Sequence, residues 1–215
     1  GVLDEDLHVI IPSGKYDDID IASNGLFRVK KNARYSFVDM NGGEMATWYK
    51  HAGTFKHGLA NVQVGRKWGY INTKGQMCIS PRFDEARHYC KNGLAAVKIN
   101  GKYGFIDTTG YPVIGNEYGA VSYFFNGACA ATTNGKWGYL NSSGQAIIPF
   151  EYDFAGGFDD HGMACVKKNG HFGFIDRNNQ VVIGFEYHKA HDFSDNAANT
   201  SVKRSLFSKW ILINR

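Results

Sequence analysis

One short pattern recurs along this chain and constrains it more than any bulk property. An aromatic residue is followed by Gly, a second aromatic, an aliphatic residue, and then Asn or Asp. It reads Trp68-Gly69-Tyr70-Ile71-Asn72, Tyr103-Gly104-Phe105-Ile106-Asp107, Trp137-Gly138-Tyr139-Leu140-Asn141 and Phe172-Gly173-Phe174-Ile175-Asp176. A weaker copy stands at Tyr35-Ser36-Phe37-Val38-Asp39 and a degenerate one at Trp210-Ile211-Leu212-Ile213-Asn214. A second marker, Asn or His before a small residue, falls at Asn24, His57, Asn92, Asn126, His161 and Asn196, with spacings of 33, 35, 34, 35 and 35 residues. Self-similarity at such a period is the signature of a repeat architecture.

Each unit reads as strands. Gly93-Leu94-Ala95-Ala96-Val97-Lys98-Ile99 alternates, and Asn100-Gly101 behind it is a strong hairpin signal, repeated at Asn134-Gly135 and Asn169-Gly170. The aromatic-Gly strand follows and ends at a Gly turn. A short apolar strand and an aromatic-acidic segment such as Phe83-Asp84 or Tyr152-Asp153 complete the unit. No window sustains a helical period, so almost no helix is expected. Gly within a strand marks a bulge or a close approach. The expectation is that a neighbouring repeat's ring covers it, with Trp68 buried. Asn and His tolerate a left-handed backbone better than most residues, so the Asn/His-small pairs read as turns and not as metal ligands.

The succession G-L-A-x-V, K-W-G-Y-I-N, a Gly turn and I-x-P-x-F-D-x-A resembles the WG (KWG) repeat family of bacterial proteins, over nearly the whole chain. The resemblance implies a β-rich repeat protein and carries no catalytic residues or common ligand. The expected fold is all-β, tandem hairpin repeats of about 34 residues. Units fall near 25–57, 58–92, 93–126, 127–161 and 162–195, with a closing unit from 196–215 plus 1–24. The ends hold complementary halves of a unit, since Ile10-Ile11-Pro12 and Tyr16-Asp17 parallel Ile147-Ile148-Pro149 and Tyr152-Asp153. A six-bladed β-propeller closed by both termini would leave no free sheet edge. An open solenoid or spiral of hairpins is the alternative.

Composition narrows function by exclusion. A chain of 215 residues with 43% hydrophobic content buries a core without disulfides or metal. The net charge of +4 is mild for a nucleic-acid binder, and no apolar run is long enough for a membrane helix. No signal peptide is visible, and a start at Gly1 instead of Met suggests a processed or cloned fragment. Cys78, Cys90, Cys129 and Cys165 form no C-x-x-C pair and read as buried free thiols, which suits the cytoplasm.

No hydrolase, zinc-protease or phosphate-loop motif occurs. Asp39, Asp107 and Asp176 alternate with Asn72, Asn141 and Asn214, which suits turns and not a carboxylate site. Glu151 and its counterparts should pair with Lys. Lys and Arg recur beside the first hairpin turn, from Lys31 and Arg34 onward, so the tips should form a basic rim. Positions that vary between units are free to bind, which singles out Arg87, His88, Tyr123, His191 and Asp192 as candidate partner contacts. The expected function is a non-catalytic, monomeric protein- or peptide-binding scaffold with no cofactor, metal, nucleic acid or membrane partner. A glycan-binding module and an enzyme with an axial site are the alternatives.

Overall fold

The computed structural model describes residues 1–190 in full, and the strands Ala197–Arg204 and Phe207–Asn214 by their backbone. Among the described residues every regular element is a strand. Six antiparallel sheets follow one another, three of three strands and three of four, and in each the strands neighbour in chain order. The second sheet, for example, is Leu59–Val64, Lys67–Asn72 and Met77–Phe83. The fourth is Ala120–Val121, Cys129–Thr133, Lys136–Leu140 and Ala146–Tyr152. Val2–Leu3 and Val9–Ile11 pair with each other ahead of the first sheet. The chain divides into two compact units, residues 1–101 with 105–112, and residues 102–104 with 113–215.

The turns follow their residues. Asn100, Asn134 and Asn169 adopt φ of 50, 50 and 51°, each before a Gly that is also left-handed. Two left-handed residues in a row make the hairpin turn whose twist matches the flanking strands. At the Asn/His-Gly markers, Asn24, His57 and Asn126 are left-handed too, whereas only the Gly is at Asn92-Gly93 and His161-Gly162. There the turn is held by a side chain instead, since Asp159 Oδ1 accepts from His161 N and Met163 N. The Asp/Asn series closes the next turn in every described copy. Asp107 Oδ1 accepts from Thr109 N and Tyr111 N, and Asn141 Oδ1 from Ser143 N and Gln145 N. Either side chain supplies the one oxygen required.

The Gly of the aromatic-Gly pattern is covered by backbone, which corrects the expectation of a neighbouring ring. Trp68 faces Phe83 while Tyr70 faces Ile79, so Ser80, Pro81 and Arg82 all oppose Gly69. This bulge folds the outer strand onto the glycine. A Cβ on Gly69 would lie 2.5 Å from the Ile79 carbonyl oxygen, and one on Gly138 2.7 Å from that of Ile148.

Trp68, expected to be buried, is only half-buried, whereas its counterpart Tyr103 is buried. Tyr70, Tyr139 and Phe174, after the Gly, are 0% exposed, while Trp68, Trp137 and Phe172 before it are half-buried. Successive Cβ atoms of a strand point to opposite faces, so two residues apart the rings share a face but differ in depth. The deep rings meet small residues. Tyr139 packs in one cluster with Ala128, Ala155 and Ala164, and Tyr70 in another with Ala86 and Ala95. Large against small lets facing sheets interdigitate at native density. Cys90, Cys129 and Cys165 are buried free thiols, as expected, but Cys78 is exposed on its outer strand.

Candidate binding site

In the second and fourth repeats the carboxylate behind the last ring links consecutive hairpin tips. Asp84 Oδ1 lies 2.6 Å from Lys67 Nζ, and its other oxygen accepts from Asn100 N at 2.7 Å. Asp153 does the same with Lys136 Nζ at 2.6 Å and Gly170 N at 3.2 Å. Lys67 and Lys136, more than the amide donors, hold these two carboxyls below their ordinary range. Glu151 pairs with Lys168 at 2.7 Å, as its sequence position suggested. Three cations of the expected basic rim, Lys67, Lys136 and Lys168, are therefore held in ion pairs.

The first repeat lacks this carboxylate, as do the third and fifth, where Gly119 and His188 follow Tyr118 and Tyr187. After Tyr49 the chain carries Lys50 where Phe83 and Tyr152 are followed by Asp. Among the described residues neither Lys31 nor Arg34 forms an ion pair. Together with Lys15 they line an open pocket of about 380 Å³, whose other walls are Tyr16, Asn32, Glu44 and Trp48. The Tyr16 and Trp48 rings lie 6.2 Å apart at 42°. Tyr16 Oη donates to Glu44 Oε2 at 2.6 Å, and Lys15 Nζ stands 3.4 Å from the same oxygen. The hydrogen bond from Tyr16, then Lys15, holds the Glu44 carboxyl below its usual range, while burial pushes the Tyr16 hydroxyl up. At neutral pH the pocket thus holds three cations, one carboxylate and two ring faces. That set can bind an anion beside an apolar group.

Part of this site was visible in the sequence, where Tyr16 parallels Tyr152 and Lys31 and Arg34 are hairpin-tip cations. Trp48 was missed. Its signal was a break in pattern, because the residue before the ring is Arg82, Glu117, Glu151 or Glu186 in later repeats.

The loop residues singled out from sequence are not gathered into this pocket. Arg87 and His88 are adjacent and half-buried behind the short strand Glu85–Ala86. The Arg87 backbone serves the fold, its N–H donating to Ala96 O at 2.9 Å and its carbonyl accepting from Tyr70 Oη at 2.8 Å. Burial first, then Lys56 and Arg87, lowers the pKa of His88. Tyr123 belongs to the other unit and is 44% exposed. His191 and Asp192 lie outside the described residues. Among the described residues no group of three or more His, Cys, Asp or Glu side chains could hold a metal ion. No helix there is long and apolar enough to cross a membrane.

Six successive three- or four-stranded antiparallel sheets define an all-β repeat protein of propeller-like build. The chain belongs to the WG-containing-repeat family, whose repeat matches residues 1–35, 35–68, 68–103, 103–137, 137–170 and 172–201. Its fold is similar to that of Hsv2p from Kluyveromyces lactis, at 9% identity and a TM-score of 0.54 over 92% of this chain and 73% of that one. It is also similar to Hsv2 from Kluyveromyces marxianus, at 9% identity and a TM-score of 0.52 over 92% and 83%. Both are β-propellers, and at such identity the likeness is one of fold. No curated protein matches the sequence.

Proposed function

We propose that this chain is a non-catalytic scaffold for protein or peptide partners, built as a six-bladed propeller closed by strands from both ends. The observation that carries the binding role is the unpaired charge of the first repeat. The second and fourth tips hold Lys67 and Lys136 on an Asp of the same repeat, whereas Lys31 and Arg34 line an open pocket with two rings in its wall. Six family repeats and the propeller-like fold support the ring. Such arrays present broad rigid surfaces that suit docking.

A random peptide library panned against the whole chain, beside a glycan array, tests the role. Retained peptides and unretained glycans are expected. Retained glycans without peptides would replace the scaffold by a lectin-like module. Hydrogen exchange tests the ring. Amides of Val9–Ile11 should exchange slowly, and faster once residues 207–214 are deleted. Unchanged exchange would favour an open array.

A further inference from the structure

Resting on that reading, we propose that the first-repeat pocket binds an acidic peptide segment, with Lys31 and Arg34 taking an aspartate or glutamate carboxylate and Tyr16 and Trp48 its apolar neighbour. One local feature of the hairpin points to an anion independently of the pocket's shape. Lys31 and Arg34 are direct cross-strand partners at the end of the hairpin. Like charges placed so repel each other. The equivalent pairs in the second and fourth sheets are Val64 with Lys67 and Thr133 with Lys136, each with a single cation. The turn between them is Asn32-Ala33, with φ of 50 and 59°. The hairpin thus presents two like charges to one cavity, where Glu44 and the Asp17 carboxylate that accepts from Asn32 N offset part of the repulsion and a bound carboxylate offsets more.

The pocket's chemistry selects among anions. A guanidinium fork matches a carboxylate in a bidentate fashion, and a lysine adds a point charge beside it. Glu44 in the wall opposes a dianion, which disfavours a phosphoryl group. A neutral sugar would offset none of the remaining Lys31–Arg34 repulsion. The ring faces of Tyr16 and Trp48 accept an aromatic or aliphatic side chain, and about 380 Å³ suits one or two side chains.

Fluorescence anisotropy with the whole chain provides the test. The probes are a labelled Gly-Phe-Glu-Glu-Phe-Gly peptide, its Gln-Gln counterpart, and a version with phosphoserine in place of one Glu. The acidic peptide should bind at least tenfold more tightly than the Gln peptide and weaken as salt rises. Arg34→Gln and Lys31→Gln should each cost about tenfold, and Trp48→Leu severalfold. Arg66→Gln, at the second repeat's tip, should cost nothing. The melting temperature of Arg34→Gln should not fall, so lost binding is not lost folding. Equal affinity for the Gln peptide, no binding of either peptide, or full affinity in Arg34→Gln overturns the proposal. Tenfold tighter binding of the phosphopeptide overturns the carboxylate assignment. If panning still retains peptides on Arg34→Gln, the scaffold stands and this site fails. If panning retains none on the wild type, both fail.

Discussion

The first and second repeats share a framework and differ, among other positions, at Ser36 against Gly69. In the second repeat three residues of the outer strand oppose Gly69, and a Cβ there would collide with the Ile79 carbonyl. In the first repeat a side chain fills that volume. The outer segment no longer makes a regular strand and touches its neighbour through isolated bridges, Val38 with Glu44 and Tyr35 with Tyr49. Ser36 Oγ lies 3.0 Å from both the Met45 and Thr47 carbonyl oxygens, and its one proton serves either. A missing Cβ lets the outer strand fold onto the ordinary repeat, and in the first repeat, where Ser36 stands instead, Glu44 and Trp48 line a pocket.

The largest expected effect sharpens the contrast between deep and shallow rings. Tyr139→Ala should cost about 3–5 kcal/mol in urea unfolding, the range for a fully buried aromatic, and Trp137→Ala about half that. A larger loss from Trp137 would reverse the assignment of depth. Next comes the glycine itself. Gly69→Ala should destabilise by about 1–3 kcal/mol, because the facing backbone has to shift. Ser36→Ala should cost only about 1 kcal/mol, one hydroxyl hydrogen bond. Equal costs at the two positions would break the comparison.

The smallest effect concerns the tips. Lys67, and after it the Asn100 N–H, keep the Asp84 carboxyl below its ordinary value of 3.8. The stability it contributes is complete above that value and is lost as pH falls through the lower folded value. The melting temperature should therefore drop in the window below pH of about 4. Asp84→Asn should remove part of that slope. Lys50→Asp should add to it by giving Arg34 a partner, and should weaken binding of the acidic peptide. A slope unchanged in Asp84→Asn would mean that the pair is inert.

Much of the fold was legible because its rules are local. Asn-Gly at 100–101, 134–135 and 169–170 specified hairpin turns through the left-handed backbone those residues accept. The exchange of Asp107 for Asn141 told a turn from a carboxylate site, since each supplies one acceptor oxygen. The candidate site was legible only in pieces. Its residues come from segments near 15, 32 and 46, and nothing in their spacing says that they meet.

From the amino-acid order alone came the period, the strand character and the turns, each a matter of a few neighbouring residues and their allowed backbone angles. Tertiary structure alone decided that Tyr70 and not Trp68 is sealed from water, that Cys78 is exposed, and that Gly69 lies under its own repeat's outer strand. It also decided that Lys31 and Arg34 meet in one pocket and, among the described residues, form no ion pair. Depth and charge pairing depend on what other segments bring to the same place, and that is settled only when the sheets pack.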